Sequence, residues 1–112
     1  MSATYYDDYV EGWTAGIEYD LMHKNPATGA ESTFDASGMS ISILLKDKDN
    51  NTISFSGTVA WSDQSNSRAK FNPASGDFLR SKSPYSLWWK VTDASSKVAY
   101  YPQGEPIKVT VY

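Results

Sequence analysis

His23 is the single histidine of a chain that has no cysteine, so neither a thiolate nor a second imidazole is at hand to share a metal with it. It stands at the mouth of His23 to Ser32, a stretch whose Asn25-Pro26 and Thr28-Gly29 pairs read as a loop. We read it as a surface histidine. No glycine-framed serine of the nucleophile-elbow type accompanies that imidazole, and a hydroxyl needs a base and an orienting third group to attack anything. Asp47, Asp49 and Asn51 alternate like the first ligands of a calcium loop. The sixth position, however, is Thr52 instead of glycine, and the twelfth is Thr58 instead of a bidentate glutamate, so the stretch reads as a turn. Asp7, Asp8, Glu11, Glu18 and Asp20 form the densest group of carboxylates. Two of them at the right separation would suit glycoside hydrolysis, but solubility and edge protection are the plainer use of such residues. Asn50-Asn51-Thr52 fits the N-glycosylation pattern without a signal peptide to give it meaning. These residues assign no reaction, no metal and no cofactor.

The elements that would have to position a site are strands. Aromatic residues make up 14% of the 112 residues and charged residues 21%, and such a composition suits pleated, half-buried surfaces better than helices. The length is that of one domain with one core, residues 1–112. The plainest pattern is in the last third. Tyr85, Leu87, Trp89 and Val91 alternate with Ser86, Trp88 and Lys90, and Ile107, Val109 and Val111 alternate with Lys108, Thr110 and Tyr112. Earlier, Ile17, Tyr19 and Leu21 mark a strand within Ala15 to Leu21. Met39, Ile41, Ile43 and Leu45 mark another. Asp47 to Asn51 reads as a turn, and Thr52 to Trp61 as a return strand with Ile53, Phe55, Val59 and Trp61 inward, which together predict a hairpin. Gly57 within it predicts a bulge. Arg68 to Phe71 is a further short strand. Asn72-Pro73 ahead of Phe78 and Leu79 predicts one short helical turn near 73–80, its two apolar residues plugging one end of the core. Residues 1–12, where Tyr5, Tyr6 and Tyr9 sit among acids, read as a flexible or edge-pairing segment. The whole is an all-β antiparallel sandwich of about seven or eight strands.

Trp88 is one position out of phase with the core set and so falls on the outer face, where the pattern sets Tyr112 and Tyr101 beside it. Trp89 and Trp61 are core residues by the same pattern. Three readings of an outward tryptophan stand: a contact with a neighbouring subunit, a stacking platform for sugars, or a side chain covered by the chain's own terminus or loops. The residues expected to meet a partner are Trp88, Tyr5, Tyr6, Tyr9, Trp13 and Tyr112. A net charge of −3 argues against a groove that follows a phosphate backbone, so no nucleic-acid partner is expected. Met1 to Asp8 has neither the basic end nor the apolar run of a signal peptide, and no run reaches the ~20 apolar residues of a membrane span. We expect a chain made and used without membrane insertion.

Asp35-Ala36-Ser37-Gly38-Met39-Ser40-Ile41 resembles the Asp-Leu-Thr-Gly-Ala-Thr-Val opening of small immunoglobulin-like β-sandwich proteins of tailed bacteriophages and prophages, a family that includes the N-terminal domain of baseplate upper proteins. The likeness continues through the Lys46-Asp47-Lys48-Asp49-Asn50 turn, the strand from Tyr85 to Val91-Thr92-Asp93, Pro102 and the closing Ile107-Lys108-Val109-Thr110-Val111. It covers Asp35 to Val111, some two thirds of the chain. The chain departs from the pattern at Pro84, where the family usually has glycine, at Ser95-Ser96-Lys97, where Asp-Gly is frequent, and at Glu11-Gly12-Trp13-Thr14, where Gly-Asp is frequent. The resemblance implies an immunoglobulin-like sandwich and a non-enzymatic structural part of a virion, in the tail or baseplate. Such a part would be made in the bacterial host cytoplasm, and its partners would be other virion proteins and further copies of itself, as a homo-oligomer in the particle. A host-surface glycan, bound through exposed Trp and Tyr, is the alternative partner.

Overall fold

A computed structural model of the chain describes residues 6–102 and 105–112, with the backbone alone for Tyr6 and Asp7. Ten strands lie among the described residues: β1 (Tyr6–Tyr9), β2 (Ile17–Asp20), β3 (His23–Lys24), β4 (Glu31–Ser32), β5 (Ser40–Lys46), β6 (Thr58–Asp63), β7 (Arg68–Asn72), β8 (Tyr85–Thr92), β9 (Val98–Tyr101) and β10 (Ile107–Val111). The all-β sandwich expected from the alternation is the observed fold. The strand count exceeds the expectation because the predicted loop from His23 to Ser32 contains the small hairpin β3–β4.

β8 is the centre of the larger sheet. Its alternation is realised: Tyr85, Leu87, Trp89 and Val91 are buried, as are Ile107, Val109 and Val111 of β10. One edge of β8 pairs with β5 along its length, from Lys46 opposite Ser86 to Ser40 opposite Thr92. The other edge is shared, with β10 on Tyr85–Leu87 and β9 on Trp89–Thr92. The strand along that edge is therefore in two pieces, β9 and β10. β1 closes the sheet by lying parallel to β10, with Tyr6 opposite Lys108 and Tyr9 opposite Val111. Of the N-terminal segment, Tyr6–Tyr9 thus pairs along an edge, while Met1 to Tyr5 lie outside the described residues.

The second sheet has the order β2-β7-β6. Set against β10-β8-β5, this is the B-E-D and G-F-C arrangement of an immunoglobulin-like sandwich. Tyr85 opens the strand that corresponds to F, and its hydroxyl accepts the amide of Leu79 at 3.0 Å, the corner contact expected at that place. Between the sheets, the Phe78 ring lies 5.1 Å from those of Tyr9 and Tyr85 and 6.0 Å from Phe71. Phe78 therefore plugs the core end as expected, with Leu79 half-buried beside it. Trp61 is only half-buried, and its Nε1 donates to the Met39 carbonyl at 3.0 Å. Trp89 is fully buried.

Three expectations about the middle of the chain are corrected. β5 and β6 are not a hairpin: they belong to opposite sheets. Only the Lys46–Thr52 bridge and the bond from Ile53 N–H to the Leu45 carbonyl (2.8 Å) begin a return strand. The chain then crosses over because Asp77 draws it away. One carboxylate oxygen accepts the Ser56 amide at 2.7 Å, and the other accepts those of Gly57 and Ala74 at 2.8 Å each. Gly57 is a place of close approach instead of a bulge, since a Cβ there would lie 2.7 Å from Pro73 Cα and collide with the Asn72 carbonyl. The irregularity falls later, between Trp61 and Asp63. The helical turn predicted near 73–80 is replaced by a tight turn, Asp77 N–H to the Ala74 carbonyl (3.0 Å). A 3-10 turn follows at Arg80–Lys82, and another lies at Gln64–Asn66.

Two substitutions check this account by chemical denaturation. Trp89→Ala is expected to cost roughly 3–5 kcal/mol as a large core truncation. Trp89→Phe should cost less, because the indole N–H has no hydrogen-bond partner to lose. Asp77→Asn keeps the size but exchanges one acceptor oxygen for a donor facing backbone amides, and is expected to cost about 2–3 kcal/mol.

Candidate functional site

Alternation places one set of side chains on the outer face of the five-stranded sheet. Trp88 lies at its centre with Leu44 directly opposite on β5. Ser86 and Lys46 form the next rung, with Lys108 beyond them on β10. Lys90 lies between Ser42 and Tyr100, and Thr92 between Ser40 and Val98. Lys46 Nζ sits 5.9 Å from the Trp88 ring centroid, a distance at which a cation is attracted to the indole face. Lys108 Nζ donates to Ser86 Oγ at 2.8 Å, which buries that serine. Tyr100 and Val98 remain 43% and 46% exposed, so the apolar part of the face runs out to the β9 edge. Three lysines surround this apolar strip, and Asp8 stands only at its far border, opposite Thr110. The face is cationic in a chain whose net charge is −3.

The expected partner-binding residues do not form one patch. Trp88 is on the outer face as its phase predicts, but half-buried. Trp13 and Tyr112 are exposed, at 51% and 61%, and lie at the end where β1 and β10 finish, with Tyr112 N–H bonded to the Tyr9 carbonyl at 2.8 Å. Tyr5 is outside the described residues, and Tyr6 is placed only as backbone in β1. Tyr9 is a correction. Its register opposite Val111 turns it inward, it is 4% exposed, its hydroxyl donates to the Ala15 carbonyl at 2.7 Å, and its ring packs on Phe78 and edge-on to Trp13. Tyr101 is a second correction. Paired with Trp89, it shares that residue's inward face and is 5% exposed, so Tyr100 is the tyrosine that joins the outer face.

Tyr101 instead meets His23. The imidazole Nε2 and the tyrosine hydroxyl share a 2.6 Å hydrogen bond, and the imidazole stacks on Phe34 with centroids 3.9 Å apart. His23 is thus exposed as expected, yet it is a partnered member of β3 instead of a loose loop residue. The carboxylates singled out in the sequence are spread over separate tasks. Glu18 binds Arg68 at 2.7 Å with Asp20 at 3.9 Å, and Glu11 binds Arg80 at 3.3 Å. Asp47 accepts the amides of Asp49 and Asn51 at 2.9 and 3.0 Å, as a turn requires. The Asn51 amide is the main cause that holds its carboxyl below the usual aspartate value. Among the described residues no group of three or more His, Asp or Glu side chains is arranged to hold a metal ion.

Leu44, Lys46, Lys90, Lys108, Tyr100 and Val98 were not singled out from the sequence. The phase of Trp88 within β8 would have found Lys90, but the others needed the pairing of β5, β9 and β10 with β8. No protein-family model matches the chain, and no curated protein matches it.

Burial raises the Tyr101 hydroxyl above the ordinary tyrosine value, and burial does the same for Tyr85. A raised folded-state pKa favours the neutral form. Its stabilisation is complete below the unfolded value near 10 and is lost as pH rises through the folded value. An alkaline titration followed by tyrosinate absorbance should show Tyr85 and Tyr101 ionising above the ordinary tyrosine value, together with loss of the fold. Tyr101→Phe should remove one late-ionising group.

Proposed function

We propose that this chain is a non-enzymatic structural component of a bacteriophage or prophage virion, in the tail or baseplate, and that it acts through contacts between subunits. The observation that carries the reading is the outer face of the larger sheet. Its apolar strip of Leu44, Trp88, Tyr100 and Val98 is bordered by Lys46, Lys90 and Lys108, a centre and rim of the kind that protein contacts use. The resemblance of Asp35 to Val111 to phage sandwich proteins supplies the setting. The lysines define what the neighbouring subunit offers, namely carboxylates around an apolar or aromatic group, and they make the contact sensitive to salt.

Sugar binding is the second reading, favoured by Trp88 and Tyr100 lying on one flat face. Lys46 over the indole weighs against it, because the cation stands where a sugar ring would stack.

Trp88→Ala tests the reading. The variant should melt close to the wild type, since the half-buried indole lies outside the core, while incorporation into particles that lack the native chain should fall several-fold and be restored by Trp88→Phe. Particles that assembled and infected normally without the chain would overturn the reading. Trp-fluorescence changes with bacterial surface polysaccharides that Trp88→Ala removed would move it to the glycan.

A further inference from the structure

The geometry points to β9 as the place where a second copy of this chain adds its own β9, antiparallel about a two-fold axis at Ala99, to make one continuous sheet through two protomers. The phase of the ladder carries this. The Asp93 amide bonds to the Lys97 carbonyl at 2.9 Å, so Lys97 faces β8. Alternation along the strand then turns Ala99 and Tyr101 toward β8 and leaves the N–H and C=O of both Val98 and Tyr100 directed away from it. None of these four groups has a hydrogen-bond partner among the described residues. The same two residues are the ones whose side chains are 46% and 43% exposed.

The free set is self-complementary. A two-fold at Ala99 sets Val98 of each protomer against Tyr100 of the other, which satisfies all four groups on both strands and covers an aromatic side chain with a β-branched one. No charged side chain lies within Val98–Tyr101, and Lys97 falls opposite Tyr101 instead of its own copy, so like charges do not face each other. The edge of β5 is less open: Ile53 occupies the Leu45 carbonyl, and Trp61 and Gln64 occupy that of Met39. The edge of β6 is irregular between Trp61 and Asp63, a device that discourages pairing.

This dimer does not depend on the virion reading, and purified protein tests it. A four-residue strand gives a small interface, so the association is weak, and sedimentation equilibrium should cover about 10 μM to about 1 mM. The expected result is a monomer–dimer equilibrium that Tyr100→Asp abolishes. The chain has no cysteine, and Ala99 would face its own copy with Cα atoms about 4.5 Å apart, within disulfide reach. Ala99→Cys should therefore oxidise with diamide to a covalent dimer at least ten-fold faster than Ser95→Cys in the adjoining exposed turn. A monomer at every concentration, a dimer indifferent to Tyr100→Asp, or equal oxidation of the two cysteine variants would overturn the proposal.

Discussion

The sandwich depends on the crossing of the chain from β5 in the larger sheet to β6 in the smaller one, and a single carboxylate holds that crossing. After Lys46 the backbone has started back along β5, and Ile53 is already bonded to Leu45. Continued in that direction, Phe55 and Val59 would extend the larger sheet and the smaller one would lose β6. Asp77 prevents this by gathering the amides of Ser56, Gly57 and Ala74 around its two oxygens. A buried carboxylate needs hydrogen-bond donors around it, and the crossing segment supplies two of the three, from Ser56 and Gly57. Gly57 is the steric counterpart, the one residue type that lets the crossing strand come this close to Asn72 and Pro73.

How much of this could be read beforehand varies with how local the cause is. β8 and β10 were legible because long, regular alternation has one interpretation. The crossing was not, because Ile53, Phe55, Val59 and Trp61 keep the same phase on both sides of Gly57 and so imitate one strand; the residue that separates them is twenty positions away. Tyr9 was hidden by its acidic neighbours, which give a short strand no readable inner face, and it is the pairing with Val111 that turns it inward. Tyr100 and Tyr101 are adjacent and chemically alike. Only the register against Lys90 and Trp89 decides which one is buried. The outer face of the candidate site was legible at Trp88 alone, since its other members come from three strands brought together by the fold.

The distribution of charge follows from the same division of labour. Several carboxylates are engaged locally: Asp35 by Ser37, Asp47 by Asn51, and Asp63 by Asn66 and Ser65, each held below its usual protonation range by those hydrogen bonds. Glu18 is lowered chiefly by the Ser62 hydroxyl and then by Arg68. These acids sit in turns and on the smaller sheet, whereas Lys46, Lys90 and Lys108 stand around the Trp88 strip. A net negative chain therefore presents a cationic face around Trp88, and charge counted over the whole sequence hides that local polarity.

The parallel pairing of β1 with β10 bears on how the domain would carry load. Two neighbouring strands that run the same way have the entry of one and the exit of the other at opposite ends of their shared ladder. Tension applied through those ends draws the strands past each other lengthwise, so the rungs from Tyr6–Lys108 to Tyr9–Val111 are strained together instead of opening one at a time. An antiparallel pair pulled at its two adjacent ends would unzip. Under tension through the ends of β1 and β10 the resistance to stretching would come from shearing that one pair, a consequence of its parallel topology.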